Sequence, residues 1–448
     1  MKKIRSLEES RFLKLFFAFI SLCFLVAAFI MPDRNTMFSG FVKIITSTCK
    51  ISTNYFALGG FSATFFNMGV VGLFCTALCF LPGAKPNNVT TLGVLLTIGF
   101  GSWGINPLNM IPTMLGVCLY ALIKKEKLGA MSNAMMYSTG IAPLISDLLL
   151  RYPHASAVGF NWLGVLFALG IGLAIGFFLP AGLAFSPKVH NGFALYSAAL
   201  PVGMTAFLLN AILYKTMGII LPSAPDAATL NVASPMIVNI FCLSVFGLCV
   251  IIALLMGCTP KDYWILLKDP DQVTSFTATY GNHVMLMNVG IFGLFILGYY
   301  NLIGANFNGI TFGIIFCMLA CCNSGSHPAN VWPIMAGYVL TSLVFGWVSP
   351  LLGGHFTTAV NSQAIVVGLC YANGLSPIAD KYGWHFGILA GGLHYLLVTS
   401  VPNLHGGFCL YNGGFTACLI CLVLIPELER FFQTKQAKKN ARLAKKTQ

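Results

Sequence analysis

Charge is what this chain lacks. Asp, Glu, Lys and Arg together make up 8% of its 448 residues. An ordinary soluble domain carries about 25%, so this chain could not cover a water-facing surface. Acids are scarcer than bases, 12 against 25, which leaves a net charge of +13. Enzyme signatures are missing too: there is no H-E-x-x-H, no G-x-S-x-G and no Walker loop. With so few carboxylates in its apolar segments the chain does not read as an intramembrane hydrolase, and ATP-driven transport would need a partner protein. The 15 cysteines lack His or Cys at metal-ligand spacing, and nearly all lie inside apolar runs, where cysteine behaves as a small hydrophobe. No cofactor, metal or catalytic residue is expected.

What is abundant is hydrocarbon: 57% of residues are apolar and mean hydropathy is +0.81. The apolar runs are about 20 residues long and continuous, the length of a membrane-spanning helix. A membrane barrel would instead alternate polarity over about 10 residues. Cut at Gly, Pro and charge, the runs predict spans over 11–31, 59–81, 89–105, 107–124, 131–150, 159–181 and 190–214, then 235–257, 281–301, 308–325, 328–347, 360–379, 384–401 and 407–427. The first run is too long for the core of a signal peptide and reads as an uncleaved span. Residues 36–58, only half apolar, look interfacial or re-entrant, with 262–280 as their counterpart. Gly140 and Pro143, and Gly374 and Pro377, mark 131–150 and 360–379 as broken or re-entrant.

Basic residues cluster at both ends, from Lys2 to Lys14 and from Arg430 to Lys446. The positive-inside rule explains them without nucleic-acid binding and puts both termini in the cytoplasm. Lys85, Lys124, Lys125, Lys127, Lys188, Lys261, Lys268 and Lys381 then fall inside. Arg34, Lys43, Lys50 and Arg151 break the rule and fall outside.

Residues 60–116 and 281–337 align without a gap at an offset of 221 (281 − 60). The pattern N-x-G-x-x-G-L-F starts at Asn67 and again at Asn288. Gly104, Pro107, Asn109, Pro112 and Gly116 recur as Gly325, Pro328, Asn330, Pro333 and Gly337. The loop after the fourth span is basic in one copy (Lys124 to Lys127) and free of cations in the other (348–355). Equivalent loops therefore face opposite sides, which implies inverted repeats related by an axis in the membrane plane. The expected fold is an all-α polytopic membrane protein of two inverted-topology repeats, each of about seven helical segments, some broken or re-entrant. The boundaries are 1–218 for the first repeat, 219–234 for an extracytoplasmic linker, 235–433 for the second repeat and 434–448 for a basic cytoplasmic tail.

Polar groups are expensive in hydrocarbon, so those recurring in both copies are the candidates. Asn67 and Asn288 read either as amides that bind a solute or as bonds between helices. Asn106 and Asn109, with His327 and Asn330, flank Pro107 and Pro328, where helix N-termini could meet a neutral or anionic solute or simply make a turn. His190-x-Gly-Phe-x-Leu-Tyr196 recurs as His405-x-Gly-Phe-x-Leu-Tyr411, a gate or an interfacial cap. Asp147 and Asp380 are candidates for coupling to an ion or proton. His283 and His394, not matched by the repeat, read as core residues. Gly164, Gly170, Gly172 and Gly176 permit close helix contact within a protomer or in a homo-oligomer.

Three stretches carry a resemblance: T-x-Y-F-x-x-G-G-x-x-A-T-F-x-N-x-G from Thr53 to Gly69 (with Asn54 where Asp is expected), N-x-x-N-x-x-P from Asn106 to Pro112, and Thr139-Gly140-x-Ala142-Pro143. Over most of its length the chain resembles domain-of-unknown-function family 1576, duplicated bacterial integral membrane proteins. The resemblance implies a prokaryotic cytoplasmic membrane and no known activity. Residues 281–295 are also similar to a stretch near the pore of urea transporters, with Val289 where a second Asn is expected. That likeness implies a small polar solute. The expected function is a transporter or channel for such a solute, with its site at the repeat interface near the midplane. The alternatives are a scaffold or sensory protein without transport, or a membrane-embedded enzyme using His394 or Asp147. The expected partners are the solute and the lipid bilayer, with a homo-oligomer left open, and nucleic acid is not one.

Overall fold

The computed structural model describes residues 2–154, 158–223, 232–268 and 275–444. Part of the linker (224–231) and the last four residues of the tail lie outside the described residues. The first half holds α1 (Lys2–Arg5), α2 (Glu9–Ile30), α3 (Met37–Thr46), α4 (Tyr55–Gly59), α5 (Phe61–Leu78), α6 (Asn88–Phe100), α7 (Pro107–Lys124), α8 (Ser132–Ser138), α9 (Ala142–Leu150), α10 (Trp162–His190) and α11 (Ala199–Asn210). The second half holds α12 (Pro235–Leu255), α13 (Pro260–Leu267), α14 (Phe276–Tyr280), α15 (Asn282–Leu302), α16 (Gly309–Leu319), α17 (Pro328–Leu351), α18 (Gln363–Ala372), α19 (Ser376–Tyr382), α20 (Trp384–Val398), α21 (Val401–Leu404) and α22 (Asn412–Ala444). Among the described residues eight helices are long and apolar enough to cross a membrane unaided, and the protein is an all-α polytopic membrane protein.

Local chemistry sets the helix starts. Asn87 and Thr90 form a reciprocal capping box at α6, as do Asn308 and Thr311 at α16. Asn106 caps α7, with Pro107 in the first turn. Between α4 and α5 the chain turns at Gly60 with φ 89°, and between α14 and α15 at Gly281 with φ 91°. These equivalent glycines hold a conformation that a side chain disfavours.

Contacts between loops sort the helix ends onto two sides. On the N-terminal side, the Asn282 amide donates to the carbonyls of Ile4, Arg5 and Leu7. There too Gly129 N–H reaches Pro82 O, and Ser324 Oγ reaches Asn88 O. On the far side, Ser62 N–H meets Asp33, Asn106 meets Ile44 O, and Asn308 meets Gln363. Broken helix α8–α9 starts beside Pro82 and ends at Arg151, which donates to Ser223 O on the far side. Its counterpart α18–α19 starts at Gln363 and ends at Tyr382, whose ring stacks on Phe193 5.6 Å away. Both broken helices therefore cross, and neither re-enters. Among the described residues each half makes seven crossings. Segments α3–α4 stay on the far side and α13–α14 on the N-terminal side.

The halves are inverted. Helix α6 runs antiparallel to its own counterpart α16: Thr91 meets Asn323 at the start of α6, while the Ser102 carbonyl lies 2.8 Å from where a Cβ on Gly309 would be. Two equivalent helices that pass in opposite directions are related by a two-fold axis perpendicular to them, hence in the membrane plane. Within each half, α2 packs on α5 and α7 on α10, as α12 packs on α15 and α17 on α20.

Of the α10 glycines, Gly164, Gly172 and Gly176 face inward and Gly170 does not. A Cβ on Gly176 would come 1.9 Å from Thr113 O, and one on Gly172 would come 2.4 Å from Pro112. Gly170 meets nothing within 4 Å. The α7–α10 crossing thus needs Gly176 to let two backbones touch. Gly176→Ala is expected to cost about 3 kcal/mol by overpacking and to lower the midpoint of thermal unfolding in detergent, while Gly170→Ala leaves it unchanged or raises it.

Candidate functional site

The recurring asparagines sit at the helix breaks. Asn67 Nδ2 donates to Gly101 O at 2.6 Å and Ile105 O at 2.8 Å. Asn288 Nδ2 donates to the equivalent carbonyls, Cys322 O at 2.8 Å and Ser326 O at 3.0 Å. A helix end leaves carbonyls without partners, and each amide supplies two donors to them. The following glycines serve packing: Gly69 lies against Leu25 and Gly290 against Val250.

The break residues are also engaged. Asn106 Oδ1 accepts from the N–H groups of Leu108 and Asn109, both at 3.0 Å. The N–H groups expected to face a solute are thus taken by the cap. Asn109 Nδ2 reaches Gly104 O and Ser146 Oγ, both at 2.9 Å. Asn330 Nδ2 makes the same pair of contacts, to Gly325 O and to Asp380 Oδ2, both at 2.7 Å. Asp380 thus stands where the first copy has Ser146. His327 is buried, and its Nδ1 has no hydrogen-bond partner. None of these six residues lines the cavity described below.

Asp147 does not pair with Asp380 across the repeats. It is 1% exposed and held by Arg151 (5% exposed), whose Nη2 lies 2.8 Å from Oδ1 and Nε 3.1 Å from it. Tyr214 donates to its other oxygen at 2.7 Å. Buried Lys50 lies nearby, donating to Pro222 O at 2.7 Å with its ammonium 5.1 Å from the centre of the Phe408 ring. Phe408 stacks on Tyr214 at 5.7 Å. The sequence offers Asp147 as a coupling candidate and Lys50 and Arg151 as misplaced cations, but not that the three meet in one far-side cluster.

The His-x-Gly-Phe-x-Leu-Tyr motifs interlock the halves. Leu195 N–H donates to Gly374 O at 3.0 Å, and Leu410 N–H donates to Gly140 O at 2.8 Å. Each motif therefore docks on the broken helix of the opposite repeat. The short turns Thr139–Ile141 and Asn373–Leu375 leave those carbonyls free for it. The symmetry stops at side chains. Tyr196 OH donates to Cys317 O at 2.8 Å and accepts from Asn373 at 3.1 Å. Tyr411 OH has no partner: Thr139 replaces Asn373 in its half and turns to its own Met136 O.

Beside the first motif a cavity of about 600 Å³ opens on the N-terminal side. Val89, Leu92, Leu183 and Pro187 give it apolar walls. Asn88, Asn133, Ser197, Ser324 and the His190 ring are its polar points, and Tyr137 and Leu195 also line it. His190 Nε2 pairs with Ser197 Oγ at 2.8 Å, while Nδ1 accepts the Ala194 N–H. The Asn133 side-chain oxygen is buried and unpartnered. Glu126 also lines the cavity, with exposed Lys124, Lys125 and Lys127 beside it in sequence. Of the sequence candidates, His190 is the one at the cavity. Tyr196, Tyr411 and His405 are buried elsewhere.

A family model described as a protein of unknown function (DUF1576) matches residues 33–215 and again 257–430. No curated protein and no solved structure gives a match.

Proposed function

The chain belongs to the DUF1576 family, and from that premise we propose that it is a transporter or channel for a small polar solute, neutral or anionic. One observation carries the reading: a cavity enters the inverted-repeat fold from one side and is lined in part by Leu195, the residue that bonds to the opposite repeat. Inverted repeats with discontinuous helices at their interface are the usual plan of alternating access. Unpartnered Asn133, the His190–Ser197 pair and the start of α6 would hold the polar part of the solute. Leu92 and Leu183 would cover the rest. In this reading Asn67, Asn288, Asn106, Asn109, His327 and Asn330 shape the path without touching the solute. The basic loops favour the N-terminal side as cytoplasmic, in a prokaryotic inner membrane.

A scaffold or sensory role leaves the cavity without a purpose. An enzyme would need His394 or Asp147 at liberty, yet His394 is buried between Tyr338 OH and Gly413 O. The test starts with thermal-shift screening of small polar metabolites, since a ligand at 100 times its Kd stabilises by about 2.7 kcal/mol. Hits then go to flux assays in proteoliposomes. Ala184→Trp, at an exposed position on the cavity wall, narrows the cavity and is expected to cut flux by about ten-fold or more, a loss of at least ~1.4 kcal/mol in transition-state free energy, with unfolding unchanged. Undiminished flux would remove the cavity from the path.

A further inference from the structure

His405 is the far-side counterpart of His190, and the two are treated oppositely. His190 faces the open cavity with both ring nitrogens engaged. His405 is 1% exposed, and neither ring nitrogen has a partner. Close by, buried Asn210 also leaves its Oδ1 unpartnered, 2.4 Å from where a Cβ on Gly406 would sit. Each such orphan costs about 1–3 kcal/mol. Three in one place, at the position that mirrors a cavity, mark a site whose partners are absent in this state.

What fills the mirror position is visible. Segment 49–53 crosses over the second motif, with Ile51 N–H bonded to Gly407 O at 2.9 Å. Strap 219–223 lies above it, tied by Lys50 to Pro222 O at 2.7 Å and by Arg151 to Ser223 O at 3.3 Å. The repeat counterpart of segment 49–53, residues 270–274, lies outside the described residues.

We propose that the far side holds a second, closed solute cavity, walled by His405, Cys409 and Asn412 and held shut by strap 219–223. These residues match His190, Ala194 and Ser197 of the open one. This rests on the transport reading above, with the same solute in both cavities in turn. The orphaned atoms call for a solute with both hydrogen-bond donors and acceptors. When the strap releases, His405 faces an open cavity as His190 does now, and the N-terminal cavity closes.

Cys409 is a built-in reporter. Full-length protein in liposomes is treated with N-ethylmaleimide and labelling is followed peptide by peptide. Cys409, Cys75 and Cys322 are equally buried, at 0% exposed. Labelling of a buried thiol tracks the population of the state that exposes it. Ser197, half-buried on the wall of the open cavity, carries the second reporter as Ser197→Cys. Cys409 is expected to react at least about ten-fold faster than the other two, and Lys50→Met is expected to raise its rate about ten-fold again while slowing the introduced Ser197→Cys. A Cys409 no faster than Cys322 overturns the proposal, and the wild-type comparison decides this even if Lys50→Met does not fold. Failure of Ser197→Cys to label in the wild-type background would instead count against the open cavity. A labelled Ser197→Cys beside a silent Cys409 sinks the closed cavity alone.

Discussion

Asp147→Ala is expected to destabilise the protein by about 3–5 kcal/mol, the usual cost of stranding one member of a buried ion pair. The Asp147 carboxylate is the sole acid that Arg151 bonds among the described residues, and it also accepts from Tyr214. Removing it leaves a guanidinium that is 5% exposed with no counter-charge. The measurement is thermal unfolding in detergent, and a large fall in midpoint is the expected result. The double variant Asp147→Leu/Arg151→Met should recover most of the loss, because the cost lies in the lone charge and not in the missing pair. Asp147→Asn separates this role from ion coupling. A coupling carboxylate would give a variant of near-normal stability whose flux no longer follows an ion gradient. A structural one gives a less stable variant whose remaining flux keeps its ion dependence.

Asn288→Ala and Asn67→Ala form the second large pair. Each removes two donors from buried carbonyls, and we expect each to cost about 2 kcal/mol. The Asn288 variant should be the worse. Its Oδ1 also accepts from Tyr263 at 3.1 Å, so that hydroxyl is orphaned too, whereas Asn67 Oδ1 has no partner to lose. Unfolding midpoints check the order. A solute-binding role would show the opposite split: intact stability, and a raised KM or abolished flux.

These two cases show where sequence reasoning held and where it failed. Spans, inversion and duplication were legible because they follow from apolar length, from cations in loops and from a fixed offset, all of which are properties of a line. The role of Asn67 was not. An amide in an apolar run looks alike whether it faces a pore or a carbonyl, and its acceptors lie 34 and 38 residues along the chain. Gly140 and Gly374 were visible as breaks. That each receives a donor from the other repeat could not be seen, since those pairs join segments with no shared pattern. The cavity was missed for a related reason: Asn133 stands alone in its segment, and Ser197 is answered in the second copy by a different polar residue, Asn412. The misplaced cations were the best unused signal. Arg34 and Lys43 are exposed on the far side, but Lys50 and Arg151 break the loop rule because they are buried and bonded to the strap. A base where topology forbids one deserves to be read as a site.

The crossed bonds from Leu195 to Gly374 and from Leu410 to Gly140 also bear on how the molecule is made. When synthesis reaches residue 218, seven crossings have been delivered to the lipid, but the first motif has no carbonyl to receive it and its own broken helix has no donor. Neither half can be finished until the other arrives upside down beside it. A gene encoding only one copy would thus need its product to insert in both orientations, so that two chains could complete each other.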